Sequence, residues 1–253
     1  MTLKINYLDT PKGSFKNTAL FLSNDTKISE FKGIFDDKIN QNIDVGAGVI
    51  LDASEGPILI DQYSRIDIGA LIKGPVYIGQ KSIINPGSRL RGNVSIGPVC
   101  KIGGEIEDVV IQGYTNKQHD GYLGHSFLGE WINVGANTNN SDLKNNYSKI
   151  KFNFSDTSTI DTKRLFLGVM IGDFCRTGIS TMINTGSYFG LGSNIFGAGF
   201  QNKYIPSFNW GQNEIVDFNK FITTIKRMKA RRTKKVSDSE VLFLQNLYNL
   251  KTK

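Results

Sequence analysis

The feature that most constrains the fold of this chain is an aliphatic residue at every sixth position. Eight such residues follow one another without a slip: Ile60, Ile66, Ile72, Ile78, Ile84, Leu90, Ile96 and Ile102. A period of six is neither the 3.6 of an α-helix nor the two of an isolated strand. It fits coils with three short sides, in which one aliphatic side chain per side points inward and stacks on the next coil. We therefore predict an all-β solenoid of parallel strands spaced about 4.8 Å apart.

Two stretches interrupt this spacing. It breaks at 108–122, returns at Leu128 and Val134, and is absent again from 137–164, which is rich in Asn, Asp, Ser and Lys. The sixth-residue pattern then resumes at Leu165, Ile171, Thr177, Ile183, Phe189 and Ile195. Long irregular insertions in a repeat scaffold are usually functional or disordered. We therefore expect a solenoid domain over 43–211 that carries two loops.

The two ends of the chain show other patterns. Residues 1–42 have no clear period, and we interpret them as an N-terminal cap. Residues 212–253 form a helical extension whose first apolar stripe has helical spacing: Phe218, Phe221, Ile222, Ile225 and Met228. A second helix should begin at Ser237, which forms a capping box with Glu240. We expect the helices to pack on the solenoid's end or on a neighbouring subunit, because an exposed solenoid end needs a cap.

The positive charge of the chain is concentrated in one segment. Residues 220–235 contain eight Lys and Arg and no acid, and without these eight the net charge of +7 would become −1. A solvated helix face is one interpretation, and a basic rim for phosphate-bearing ligands is the alternative. Phe221 is the single aromatic residue among these cations, and no recognisable binding module is present, so we expect no nucleic-acid partner.

Composition places the chain among cytoplasmic proteins. Cys100 and Cys175 are the only cysteines, too few for a disulfide framework or a thiolate zinc site. No apolar run reaches the roughly 20 residues that span a bilayer, and the N-terminus MTLKINYLDT lacks the apolar core of a secretory signal. We expect neither membrane insertion nor secretion.

Both histidines of the chain lie in the stretch NKQHDGYLGHSFLGEWINV, at His119 and His125. Their spacing matches no metal motif, and we expect no metal, although a site with two His and one carboxylate remains an alternative. No GxSxG elbow or GxxxxGK[ST] loop is present. An imidazole can accept a proton at physiological pH, and His119 ends the first expected loop just before the solenoid resumes. We therefore take His119 as a candidate general base.

At these residues the chain resembles a known family. The stretch HDGYLGHSFLGEWINVGANT is similar to the acetyltransferase region of the bifunctional N-acetylglucosamine-1-phosphate uridyltransferase/glucosamine-1-phosphate acetyltransferase, with its H-x-x-Y-x-G-D and N-[IV]-G-A-G-T segments. The resemblance is closer to a sugar nucleotidyltransferase-like branch, through GGE from Gly103, QGYTNKQHDGYLGHS from Gln112, TNNSDLKNNY from Thr138 and IPSFNWG from Ile205. The fold it implies is the left-handed parallel β-helix of the hexapeptide-repeat acyltransferases.

The resemblance also implies roles for individual residues. His119 would be the base, Tyr122 and Asn133 would contact the sugar or its phosphate, and the backbone near Ala136 would face an acetyl thioester. Acetyl-CoA, the co-substrate, would be bound at Ala136, Gly178 and Ala198. Relatives of this kind act as homotrimers with sites between subunits, so a homotrimer is expected here. The implied activity is acyl transfer from acyl-CoA to the amine or hydroxyl of a sugar phosphate or nucleotide sugar.

The sequence also departs from the family. An arginine before the Pro-Gly of an early coil is absent from INPG. The candidates for sugar-phosphate contacts are therefore Arg89, Arg91, Lys117, Lys144 and Lys149. The aspartate that ends the H-x-x-Y-x-G-D segment of the family is replaced by His125 in this sequence. We also expect no nucleotidyltransferase domain in the 42 residues before the first hexads, because such a domain needs more residues. Two other functions stay open: a non-catalytic solenoid that binds sugar nucleotides beside a separate nucleotidyltransferase, and a metal-dependent lyase or hydrolase.

Overall fold

The chain folds into a left-handed parallel β-helix of about nine coils with a C-terminal helical region, as predicted. The computed structural model describes residues 20–22, 29–31, 43–155, 157–212 and 214–251. Most of the expected N-terminal cap lies outside these residues. Its two described strands pair antiparallel with the first coils of the solenoid.

Three faces of short strands form the solenoid. The first face consists of β1 (Leu20–Leu22), β5 (Ile58–Ile60), β8 (Val76–Ile78), β11 (Val94–Ile96), β14 (Val110–Ile111), β17 (Phe127–Leu128), β21 (Val169–Ile171), β24 (Ser187–Phe189) and β26 (Tyr204–Ile205). The second consists of β2 (Ser29–Phe31), β4 (Val49–Asp52), β7 (Leu71–Lys73), β10 (Arg89–Arg91), β13 (Glu105–Glu107) and β16 (Tyr122–Gly124), followed by the pair β18 (Asn139–Asn140) and β23 (Met182–Ile183).

The third face has two parts that Asn133 joins by bridging to Asn116 and Arg176. The first part consists of β3 (Asp44–Val45), β6 (Arg65–Ile66), β9 (Ile83–Ile84), β12 (Lys101–Ile102) and β15 (Asn116–Lys117). The second consists of β22 (Arg176–Thr177), β25 (Asn194–Ile195), β27 (Asn209–Trp210) and β28 (Glu214–Ile215).

The predicted inward residues form the core. All eight hexad residues from Ile60 to Ile102 are at most 1% exposed, and they belong to one continuous apolar cluster. The strands of a face pair in register, so that Ile60 lies beside Ile78 and Ile78 beside Ile96. One inward residue per side therefore stacks on its equivalent in the next coil. Because each side has the same length, these inward residues recur every six positions in the sequence.

The loop expected at 108–122 is wrong, because β14, β15 and β16 continue the solenoid through it. The coil is shortened here: after Ile102, the buried residues of β13, β14 and β15 are Ile106, Ile111 and Lys117, spaced by four, five and six residues. Gly104, with φ of +79°, makes the tight turn that removes residues from the coil. A search for aliphatic residues every six positions misses both the shortened turn and the inward lysine.

The second expected loop exists with shifted bounds. The chain leaves the solenoid after β18 and returns at β21, and in between β19 (Lys151–Asn153) pairs antiparallel with β20 (Thr159–Asp161). Leu165 is 45% exposed, so the inward column resumes at Ile171 rather than at Leu165. The column then continues through Thr177, Ile183, Phe189 and Ile195, all of which are buried.

Two helices follow the last coil, α1 (Phe218–Ala230) and α2 (Asp238–Lys251). Ser237 Oγ accepts the Glu240 N–H at 3.1 Å, as the capping box predicts, while the Glu240 carboxylate pairs with Lys229 Nζ. The helices pack against Phe208 of the last coil and also against Trp131 and Phe174 further back, so they cover one side of the solenoid as well as its end. No helix in the described part of the chain is long and apolar enough to cross a membrane.

Candidate functional site

His119 lies on the turn between β15 and β16, where the chain passes from the third face to the second. Its side chain is exposed, and its Nε2 is 3.2 Å from Nε2 of Gln118. The equivalent turns of later coils are 135–138, 178–181 and 196–199, and we call this line of turns the His119 edge.

Lys117 holds the backbone of this turn from inside the solenoid. The side chain is 2% exposed, and its Nζ donates to the carbonyl oxygens of Gly103 at 2.9 Å and His119 at 2.5 Å. Burial lowers the pKa of Lys117 to about 8, although Asp120 opposes the shift. The structure thereby corrects the expectation that Lys117 binds substrate, because its ammonium group is directed to two backbone carbonyls of the interior.

Lys117 should make stability depend on pH in the alkaline range. Between pH 8 and 10.5 the folded lysine has lost its proton and the unfolded one retains it, so the free energy of unfolding rises with pH. The expected rise is about 3 kcal/mol relative to Lys117→Met, which cannot titrate. Urea unfolding of both proteins at several pH values measures it. Lys101→Met, on the same face one coil earlier, should keep the rise, and an identical pH profile for Lys117→Met would contradict the assignment.

Three of the predicted site residues meet along the His119 edge. The N–H of Asn137 donates to the carbonyl of Asp120 at 2.9 Å, and the N–H of Ser180 donates to that of Ala136 at 2.8 Å. The turns that carry His119, Ala136 and Gly178 therefore stack directly on one another. The N–H of Ala136 has no acceptor among the described residues, so it is available to a ligand.

Ala198 belongs to the same edge one coil further on. Its turn, 196–199, follows β25, and a Cβ on Gly178 would lie 3.1 Å from Cβ of Phe196. Ala198 is exposed and lines a cavity of about 240 Å³ together with Gln201 and Asn202. The structure thus brings the four residues His119, Ala136, Gly178 and Ala198 to one edge.

Tyr122 belongs to a different cluster, on the turn from the second face to the first. Its phenolic oxygen donates to Asp142 Oδ2 at 2.6 Å and lies 3.2 Å from Glu107 Oε2. Burial raises the pKa of Tyr122 above its ordinary value, and the hydrogen bond to Asp142 raises it further. Gly124 makes room for the cluster, since a Cβ there would be 2.2 Å from the phenolic oxygen.

His125 completes this cluster. Its Nδ1 is 2.7 Å from Asp142 Oδ2, its Nε2 is 3.5 Å from Asp108 Oδ2, and its ring stacks on Phe166 at 4.9 Å. A carboxylate on one ring nitrogen orients an imidazole and selects its tautomer. Sequence reasoning missed Asp142 as a functional residue, although it lies within the motif TNNSDLKNNY, because its partners are 17 and 20 residues away.

The remaining predicted substrate contacts lie apart from the His119 edge. Lys144 and Lys149 are in the insertion, where Lys144 Nζ donates to the Lys149 carbonyl at 2.9 Å and the Lys149 side chain is exposed. Asn133 is on the third face, in the wall of a cavity of about 310 Å³ beneath α1. Within one chain, the predicted substrate lysines, Tyr122 and Asn133 therefore occupy four separate places: the interior of the solenoid for Lys117, the Tyr122 cluster, the insertion and the third face.

Comparison with known proteins finds the predicted resemblance over part of the chain. No family model matches. Over 105 residues, 41% of this chain, the sequence is 33% identical to a bifunctional sugar-1-phosphate nucleotidylyltransferase/acetyltransferase from Sulfurisphaera tokodaii. The matched segment covers 26% of that relative, so the similarity spans about a quarter of its length. The resemblance stated from the motifs is thus confirmed.

Two solved structures that are similar to this chain are described as acetyltransferases. One is the BC4754 gene product of Bacillus cereus, 17% identical with a TM-score of 0.33, over 82% of this chain and 92% of that one. The other is the polysialic acid-specific acetyltransferase NeuO, 15% identical with a TM-score of 0.33, over 71% and 81%. At these scores neither likeness bears on activity.

Proposed function

We propose that this protein is an acyltransferase that transfers an acetyl group from acetyl-CoA to the amine or hydroxyl of a sugar phosphate or nucleotide sugar. The observation that carries the proposal is the stacking of the turns of His119, Ala136 and Gly178 on one edge. An imidazole and an unpaired backbone N–H therefore lie on successive coils. Attack on a thioester uses both groups, the imidazole as general base and the N–H as a donor to the oxyanion. The partial match to a sugar-1-phosphate nucleotidylyltransferase/acetyltransferase supports the same reaction class.

The step needs no covalent enzyme intermediate. The nitrogen of the acceptor amine forms a bond to the thioester carbonyl carbon, and His119 accepts the proton that this nitrogen loses. The Ala136 N–H donates to the oxyanion that develops on the carbonyl oxygen. The carbon–sulfur bond then breaks, and the protonated His119 returns the proton to the thiolate of coenzyme A. The products are the N-acetyl sugar and free coenzyme A.

A second copy of the chain would complete the site. The His119 edge is open in one subunit: His119 is exposed, Ile179 is 79% exposed and Phe200 is 61% exposed. Exposed apolar side chains beside a polar site favour an interface. We propose the homotrimer implied by the resemblance, in which the facing subunit covers this edge and supplies further acceptor contacts.

The test is release of coenzyme A from acetyl-CoA with a panel of phosphorylated amino sugars and amino-sugar nucleotides. A thiol reagent detects the product, and the buried Cys100 and Cys175 should react slowly. Acceptor-dependent release supports the proposal. Binding of a nucleotide sugar without release with any acceptor would instead support the non-catalytic solenoid.

A further inference from the structure

The cavity of about 310 Å³ between α1 and the third face is lined by four arginines: Arg176, Arg227, Arg231 and Arg232. Arg176 comes from β22 of the solenoid, and the other three come from α1 and the turn that follows it. The stacked rings of Tyr114 and Trp131, with centroids 4.3 Å apart, contribute to the wall. No acidic residue lines this arginine cavity in the described part of the chain.

The four arginines differ from those elsewhere on the solenoid. Arg89 and Arg91 on β10 pair with Glu105, Arg91 at 2.9 Å. None of the cavity arginines forms an ion pair with any described residue. Burial lowers the pKa of Arg176, and no acidic side chain of the cavity wall offsets this loss of solvent. A charge placed in this way needs a counter-charge.

Two of the guanidinium groups are held in position. Arg232 Nη2 donates to Asn116 Oδ1 at 3.0 Å, and Arg176 Nη2 lies 3.6 Å from Sδ of Met228. Asn116 is in turn 3.5 Å from Asn133 Oδ1 through its amide nitrogen. Neutral partners fix the direction of the guanidinium groups and leave their charge unpaired. Such groups are prepared for an anion that arrives from solvent.

The chemistry of the cavity selects a phosphate anion. Guanidinium groups bind phosphate oxygens in pairs, and several of them around one volume match a group with more than one negative charge. A volume of about 310 Å³ is small for a whole nucleotide and sufficient for its charged part. We propose that the arginine cavity binds the pyrophosphate group of a nucleotide-type ligand. Coenzyme A and nucleotide sugars both carry this group.

The test is calorimetric titration with inorganic pyrophosphate, which needs no acyl transfer and so can succeed or fail separately from the proposed function. Arg176→Gln and Arg227→Gln should each weaken binding about tenfold or more, since each removes a charge-assisted contact. Lys226→Gln, which removes the same charge from α1 outside the cavity wall, should change the dissociation constant less than threefold. Arg227 is exposed, so its replacement tests the site even if Arg176→Gln folds poorly.

Competition identifies the source of the pyrophosphate group. Displacement of pyrophosphate by coenzyme A, but not by UDP-N-acetylglucosamine, assigns the cavity to the acyl donor, and the reverse assigns it to a nucleotide sugar. The proposal is overturned if pyrophosphate does not bind. It is also overturned if Arg176→Gln and Arg227→Gln weaken binding no more than Lys226→Gln does.

Discussion

Replacing His119 by alanine should lower kcat for acetyl transfer by about 10² to 10⁴, the usual contribution of a general base. His119 has few contacts, an exposed ring near Gln118, so its removal should leave the melting temperature nearly unchanged. The measurement is steady-state release of coenzyme A by the wild type and by His119→Ala, with circular dichroism to verify the fold.

His125→Ala is the matched control, because both histidines lie in the same turn-rich stretch. His125 packs on Phe166 and pairs with Asp142, so its removal should lower stability by about 1–3 kcal/mol and change turnover much less than His119→Ala does. The opposite pattern, full activity in His119→Ala and loss in His125→Ala, would transfer the role of base to His125, with Asp142 orienting it.

The second large effect is expected in the aliphatic column. Ile84→Ala should lower the free energy of unfolding by about 2–5 kcal/mol, because Ile84 is fully buried and its loss leaves a cavity between two stacked coils. Urea or thermal unfolding of the variant measures the loss.

Ile83 provides an internal reference on the same strand, β9. It has the same side chain, lies next to Ile84 and faces outward with intermediate exposure, so Ile83→Ala should cost about 1 kcal/mol or less. Equal losses for the two variants would contradict the inward and outward alternation on which the solenoid depends.

The hexad pattern was sufficient to predict the solenoid because each coil repeats the same local demand. Every side needs one inward apolar residue, and neighbouring coils pair in register. The stacking of Ile60, Ile78 and Ile96 in three dimensions therefore produces an aliphatic residue at a constant spacing in the sequence. The pattern failed at 108–122 because it detects only coils that have six residues per side and aliphatic inward residues. Gly104 shortens a turn and Lys117 takes an inward position, and neither change obeys the period although both preserve the coil.

The His119 edge could be predicted in part. His119 and Ala136 are 17 residues apart and Gly178 and Ala198 are 20 apart, about one coil in each case, so a family motif that runs along the chain also runs along the edge. The 42 residues between Ala136 and Gly178 include the insertion, and these two turns stack only because the chain returns to the solenoid beside the point where it left. The cluster of His125, Tyr122 and Asp142 was out of reach, because Asp142 lies beyond another full coil at the start of the insertion. Hydrogen bonds between such positions depend on how two coils are offset, which the sequence period does not encode.

By itself, the sequence determined the solenoid, the position of the helices and the stretch that carries both histidines, because these follow from local periods and adjacent residues. The sequence also located the basic segment, but it did not decide between a solvated helix face and a site for phosphate-bearing ligands. Only the tertiary structure decided that Lys117 is internal and that Arg176 faces three arginines more than fifty residues away. The docking of α1 on Trp131 and Phe174 produces that arrangement. Such packing depends on the summed fit of apolar surfaces from distant parts of the chain, and no local pattern records it.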